Sequence, residues 1–257
     1  MFGQFKERSY ELEHIDKGDY TPEEYQSCII ELQRVNRWLG DVRILRNTLL
    51  KDIDHSNVQS VSILDVGAGS GELLRVIARW ALATHRSAKL VGLELNPSSA
   101  RAIADESQAF CAINSVRGDA FELPFVDQQF DYVVSSLFTH HFTNSQVVSL
   151  FREMSRVARH GIYLIDLHRH PVAYYFYTTI GRLMFHNRLL REDGALSILR
   201  SFKPVELLEL GREAGLTNVR VERHFPYRLV LSGSRRPNEI PALEIPRQSG
   251  TSAEKAA

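Results

Sequence analysis

The chain has 257 residues, and 31 Lys and Arg balance 31 Asp and Glu, so the formal net charge is zero. That length accommodates one large α/β domain with additions or two small domains, and the even charge supplies no global pull toward nucleic acid or an anionic membrane. No stretch is long and apolar enough to span a bilayer, and residues 1–8 lack the apolar core of a signal peptide.

In chain order, residues 9–54 read as helical. Thr21 is an N-cap, Pro22 fits a first turn, and Glu23 and Glu24 sit at the positive dipole end. Ile29, Leu32, Val35 and Leu39 recur at helical spacing, Gly40 ends that helix, and Val42, Leu45, Leu49 and Leu50 predict a second. From about residue 57 to 167, strands and helices alternate. Residues 61–66 are an apolar strand, and 72–83 carry Leu73, Ile77 and Trp80 on one helical face. Residues 89–95 form a strand, Pro97 opens a helix, 113–118 form a weaker strand and 130–136 a strong one. Thr143 and Gln146 make a capping-box pair; Arg159 and His160 suit the negative end of that helix, Gly161 breaks it, and 162–167 form another buried strand. This alternation predicts right-handed crossovers and a doubly wound parallel sheet, an α/β fold with a Rossmann-like order.

An insertion at 171–202, rich in aromatics and arginines, interrupts the pattern. A helix follows from Pro204 to the stop at Gly215, and residues 219–222 and 228–231 read as a closing antiparallel pair. From Arg235 the chain is rich in Pro, Ser and Ala, which predicts a disordered tail. The expected organisation is therefore an N-terminal helical cap (1–56), a central α/β domain (57–234) with a cap insertion (171–202), and a tail (235–257).

The segment from Ile63 to Gly71 reads as a strand, a glycine turn and a helix start, and the strand at 89–95 carries Glu94 at its end. Such a layout binds an adenosine-containing cofactor at the carboxyl ends of parallel strands. Gly67, Gly69 and Gly71 give G-x-G-x-G, whereas the dinucleotide fingerprint needs a glycine where Glu72 stands. A carboxylate there opposes a pyrophosphate at the helix N-terminus.

With Leu64 to Gly71, Glu94, Gly118-Asp119-Ala120 before Leu123-Pro124-Phe125, and Phe130 to Ser136 in this order, the chain resembles the class I S-adenosylmethionine-dependent methyltransferases. The resemblance covers roughly residues 57–231. It implies a seven-stranded sheet and S-adenosylmethionine as cofactor, with S-adenosylhomocysteine as product. The Leu-Pro-Phe segment and the Phe-Asp-Tyr-Val-Val run are similar to the small-molecule branch that includes ubiquinone and menaquinone biosynthesis enzymes. Residues 191–202 look like a subgroup associated with type III polyketide synthases and phenolic or quinone products of secondary metabolism.

The resemblance implies roles by position. Asp65 holds the methionine ammonium end, directly or through water; Gly67, Ala68, Gly69 and Gly71 bring backbone close to the cofactor; Glu94, followed by Leu95, accepts the ribose hydroxyls; Asp119 and Ala120 meet the adenine; Ser136 ends the fourth strand at the same edge. His140 and His141 follow that strand, where the transferred methyl should sit, and imidazole is suited to accept a phenolic proton. Asp166, His168 and His170 share one face if extended, as a substrate-facing polar cluster or a metal site. The resemblance does not match the metal-dependent catechol branch, so no metal is expected. Tyr174 lies in an aromatic run that would roof an apolar pocket or pack on the sheet, and Arg200 would hold an acidic substrate group or join a surface ion pair.

The expected activity is methyl transfer to a small phenolic or quinone-like acceptor, at oxygen with a His base or at carbon of the same ring. A catalytically silent methyltransferase fold serving as a binding module is the other reading. The expected partners are a small aromatic or lipidic acceptor, with no nucleic acid, no membrane span and a possible homodimer. Cys28 and Cys111 are far apart and lack metal-binding spacing, which points to a reducing compartment, the cytoplasm.

Overall fold

The computed structural model describes residues 3–235 except 182 and 184, so the tail expected at 235–257 lies, past Arg235, outside the described residues. Seven strands, β1 (Ser60–Val66), β2 (Ser87–Glu94), β3 (Ile113–Arg117), β4 (Phe130–Ser136), β5 (Ala158–Leu167), β6 (Thr217–His224) and β7 (Arg228–Ser234), form one sheet in the order β3-β2-β1-β4-β5-β7-β6. Pairing is parallel from β3 through β5, and β7 runs antiparallel to both its neighbours. The order reverses between β1 and β4, which opens a crevice beyond their carboxyl ends.

The sheet is covered on both faces because its central strands are apolar at successive positions. In β1, Val61 and Ile63 point into one core while Leu64 and Val66 point into the other. Helix α5 (Glu72–Ala83) fills the first core with Leu73, Leu74, Val76 and Ile77. Helices α7 (Asn144–Val157) and α10 (Pro204–Glu213) fill the second with Val147, Phe151, Met154 and Leu207. Each such buried Leu, Ile or Phe contributes about 1.5–3 kcal/mol of transfer free energy. Helix α6 (Pro97–Glu106) starts where Asn96 caps Ser98 N–H at 2.9 Å.

The N-terminal zone differs from a continuous helical cap. Residues 9–13 are irregular, α1 (His14–Lys17) is a single turn, and α2 (Pro22–Leu39) begins at the predicted Thr21. Thr21 and Glu24 exchange side-chain and backbone hydrogen bonds at 3.1 and 3.2 Å, and Gly40 ends the helix at φ +86°. The second expected helix is present as α3 (Asp41–Leu45) and α4 (Lys51–Ser56), joined by a π-turn at Arg46–Leu50.

Two further expectations are corrected. Arg159, His160 and Gly161 do not close α7; they lie inside β5, which starts at Ala158 and pairs with Phe130 at once. Gly161 serves close strand approach, since a Cβ there would meet Gly233 O at 2.7 Å. The insertion forms α8 (Pro171–Phe176), a π-turn at Tyr177–Gly181 and α9 (Arg188–Arg200), and its aromatics do not roof the central cavity. Instead Tyr174 packs edge-on to Phe5 at 5.5 Å, and the N-terminal segment takes the roofing place. Among the described residues no helix is long and apolar enough to cross a membrane.

Candidate active site

A cavity of about 540 Å³ lies beyond the carboxyl ends of β1, β2 and β4. Its floor is the β1 turn with Glu94 and Ser136; its wall is the loop after β4; its roof is Ser9, Tyr10, Leu12, Ile15 and the inner side of α2. Of the residues singled out in the sequence, Asp65, Gly67, Ala68, Gly69, Glu94, Ser136, His140, His141 and Arg200 line it.

The glycine turn is shaped by contact. A Cβ on Gly67 would sit 2.5 Å from the Phe138 ring, so glycine lets the β4 loop close onto β1. Gly69, at φ +56°, faces open space and donates its N–H to the Glu94 carboxylate at 3.0 Å. The other Glu94 oxygen accepts Asn96 N–H at 3.1 Å, so both oxygens are fixed and retain lone pairs toward the cavity. Burial raises the Glu94 carboxyl above its ordinary range despite these bonds. Asp65 is buried, its Oδ1 has no hydrogen-bond partner, and burial together with the Glu94 charge pushes it up to about 7. An unpartnered buried carboxylate oxygen at a cavity wall is a site for a cation.

After β4, Leu137 turns through φ +51° into a 3₁₀ turn, Thr139–His141. The turn is held by Asp166 on β5, which accepts His140 N–H at 3.1 Å and the His140 ring Nδ1 at 2.7 Å. Burial raises the Asp166 carboxyl, but the His140 ring and the surrounding N–H groups outweigh it and hold the group below its ordinary range. His141 Nδ1 lies 2.8 Å from Asp16 of the N-terminal segment, and the two rings are 4.4 Å apart. A carboxylate on Nδ1 takes the N–H there and leaves the lone pair on Nε2. Neither Nε2 has a hydrogen-bond partner among the described residues.

Three buried arginines fasten the N-terminal segment, and two of them, Arg8 and Arg200, tie it to this loop. Arg8 donates to Arg200 O at 2.7 Å, His140 O at 3.2 Å, Phe142 O at 2.9 Å and Asn144 Oδ1 at 2.7 Å. Arg200 donates to His140 O, His141 O and Glu11 O and pairs with Asp16 at 2.6 Å. Arg169 reaches Phe5 O, Lys6 O and Ser201 O and pairs with Glu206. Arg200 is thus a buried tie, 3% exposed, rather than a surface ion pair.

The remaining residues lie off the cavity wall. Gly71 caps α5 at φ +82°, Leu95 is exposed, and Asp119 accepts Phe121 N–H at 2.8 Å in a tight turn. Ala120 is in the second core. Asp166, His168 and His170 are not brought together: Asp166 faces His140, whereas His168 and His170 neighbour the Tyr227 ring. Burial and the His170 charge lower His168 to about 4. Sequence reading missed Arg8, Glu13 and Asp16, which meet the β4 loop only through tertiary contacts. The sequence signal for Asp166 is its alternation with His168 and His170 at the end of an apolar strand.

Comparison with known proteins agrees with this architecture. Residues 63–161 match the family model described as a methyltransferase domain. The chain is 29% identical to a demethylmenaquinone methyltransferase of Roseiflexus sp. (strain RS-1) over 66% of its own length and 71% of the relative's. It is 30% identical to an uncharacterized methyltransferase of Synechocystis sp. (strain PCC 6803) over 62% of this chain and 68% of the relative. A SAM-dependent methyltransferase from Aquifex aeolicus shares the fold with a TM-score of 0.59 at 15% identity, over 82% of this chain and 98% of that one. The donor set fits the cofactor of that family: an orphaned buried carboxylate oxygen at Asp65 for an ammonium group, and a fixed two-oxygen acceptor at Glu94 for a diol. The glycine turn between them is open to the cavity. The chain belongs to the class I S-adenosylmethionine-dependent methyltransferases.

Proposed function

We propose that this methyltransferase acts on a small phenolic or quinone-like acceptor, at oxygen, and that His140 takes the acceptor's proton. The observation that carries the reading is the His140–Asp166 pair: the ring is held through Nδ1 at 2.7 Å by a fully buried carboxylate, His140 lines the cavity, and its Nε2 has no hydrogen-bond partner among the described residues. In this reading Asp65 receives the ammonium end of the cofactor, Glu94 the ribose hydroxyls, and the Gly67–Gly69 turn the path between them. Ser136 marks the strand edge where acceptor and donor meet. The bound cofactor's sulfonium supplies an already activated methyl group for in-line displacement. The protein's tasks are then to align the acceptor, exclude water and remove one proton.

A phenol loses its proton near pH 10, so a base in hydrogen-bond reach raises the reactive fraction at neutral pH. Asp166 keeps the imidazole in the tautomer with Nε2 free and stabilises the imidazolium that forms. The N-terminal segment, strapped by Arg8 and Arg200, covers the cavity and supports water exclusion. The relative named for demethylmenaquinone supports a quinone-like ring and keeps carbon methylation as the alternative. Both routes place an acidic proton beside His140.

The test is labelled methyl transfer to a series of phenols and hydroquinones by wild type, His140→Ala and Asp166→Asn, with product structures assigned by NMR. Loss of about 10²–10⁴ in kcat in both variants, with cofactor affinity kept, is the expected outcome. Full turnover by both at neutral pH refutes the base. A ring-carbon product refutes the oxygen acceptor.

A further inference from the structure

Glu13, His140 and His141 each present one potential ligand atom, and the three atoms lie within 4.8 Å of one another. The reading above gives a proton to His140 and leaves Glu13 and the second ring without a task. We propose that these three side chains form a binding site for a divalent transition-metal ion of the zinc, cobalt and nickel class, and that its occupation inhibits methyl transfer.

Three features of the geometry support the site. First, each imidazole is already held through Nδ1 by its own carboxylate, His140 by Asp166 at 2.7 Å and His141 by Asp16 at 2.8 Å. Metal-ligating histidines are oriented in this way, because an outer carboxylate fixes the tautomer and makes Nε2 a better donor. Second, Glu13 is 2% exposed and its Oε1 has no hydrogen-bond partner; the nearest cation, Arg200 Nε, is 3.6 Å away. A buried carboxylate oxygen left in that state is stabilised by a directly bound cation. Third, further carboxylates crowd the site: Asp166 holds His140, Asp16 holds His141, and Asp193 accepts the N–H of His14 beside Glu13, with the Arg8 and Arg200 guanidiniums on the neighbouring carbonyls.

Two imidazoles and one carboxylate suit borderline ions rather than magnesium or calcium, which favour all-oxygen sites. An ion bonded at about 2.1 Å holds tetrahedral ligands about 3.4 Å apart. The present spacing of up to 4.8 Å is wider than this, so binding requires side-chain shifts of about 1 Å with both Nδ1–carboxylate contacts kept. Three protein ligands leave a fourth position for water or another ligand.

Inhibition follows from, and rests on, the reading of His140 as the base. The Nε2 lone pair that accepts the acceptor's proton is the one the ion would use, so ion and proton compete for the same nitrogen. Asp16 and Glu13 come from the N-terminal segment, so a bound ion would also pin that segment to the β4 loop.

The experiment uses the full chain after dialysis against chelator, titrated with Co2+ and followed by visible absorption and by metal analysis. The expected result is one Co2+ per chain with the absorption of a nitrogen- and oxygen-ligated tetrahedral ion, displaced by Zn2+. Glu13→Gln and His141→Ala should each weaken binding at least tenfold. Turnover should fall in proportion to occupancy and return on adding chelator. Absence of stoichiometric uptake, or uptake unchanged in both variants, overturns the site. A metal ion that raises turnover overturns the inhibition. Failure of the base reading is read separately: it shows as full turnover by metal-free His140→Ala, whatever the titration gives.

Discussion

Replacing Arg200 by Met separates two roles for this residue, substrate cation and structural tie. Met keeps the volume and removes every donor. In the folded chain Arg200 donates to three backbone oxygens, of His140, His141 and Glu11, at 3.3, 2.6 and 2.5 Å, and pairs with Asp16 at 2.6 Å. Hydrogen bonds from a charged group contribute about 1.5–3 kcal/mol each, and removing one partner of a buried pair costs about 3–5 kcal/mol. The sum of the individual bonds overstates the loss, because the N-terminal segment can lift and return its carbonyls to water. That opening limits the cost to about 3–5 kcal/mol. In a domain of this size each kcal/mol shifts Tm by about 2–4 °C, so the variant should melt about 6–20 °C lower. Hydrogen exchange gives the spatial readout: amides of residues 9–17 and of the 139–142 turn should lose protection, while those of β1 and β4 keep it. The reasoning is refuted if melting and exchange are unchanged and only KM for the acceptor rises; Arg200 would then be the substrate cation, one of the two roles its sequence position offers.

Three other outcomes follow from the same geometry. Asp65 is pushed up to about 7, and in the proposed reading it meets the cofactor's ammonium group in its charged form. Affinity for S-adenosylhomocysteine, measured by calorimetry, should therefore fall as pH drops below about 7, by up to tenfold per unit, and the slope should vanish in Asp65→Asn. Gly161→Ala places a Cβ 2.7 Å from Gly233 O, and the β5–β7 pair must spread; chemical denaturation should show a loss of about 1–3 kcal/mol. His168→Ala should leave kcat and KM unchanged, because His168 neighbours Tyr227 and His170 and does not line the cavity; a tenfold loss of kcat would return it to the site.

The parts of this fold that are legible in the sequence are those fixed within a few residues. The β1 turn, the acid ending β2 and the capping box of α7 are local patterns, and each stands where the residues place it. The β5 boundary was misread for the same reason. Arg159, His160 and Gly161 carry the local chemistry of a helix end, yet pairing to β4 and β7 on both sides draws Ala158 onward into the sheet. The floor of the cavity was legible and its roof was not. Glu13, Asp16 and Arg8 are separated from the β4 loop by more than a hundred residues, and nothing in their local sequence marks them. For Arg200 the sequence offers a substrate cation or a surface ion pair; its burial beneath the strap is a tertiary fact. Asp166 was noticed with His168 and His170 because period-two spacing puts all three on one face of an extended chain. β5 ends at Leu167, and the chain beyond it turns toward Tyr227, so the three separate.

The most direct measurement of the account is calorimetric titration of wild type and Glu94→Gln with S-adenosylhomocysteine, with NAD as control. Glu94 accepts Gly69 N–H and Asn96 N–H and is the acceptor assigned to the ribose hydroxyls. The account predicts one site per chain with micromolar affinity in wild type and no heat with NAD. In Glu94→Gln, replacing two charge-assisted hydrogen bonds by weaker ones should cost about 1.5–3 kcal/mol, or about 10- to 150-fold in affinity. Equal affinity in the two proteins, or binding of NAD in place of the sulfur ligand, would contradict the assignment of the cofactor to this cavity.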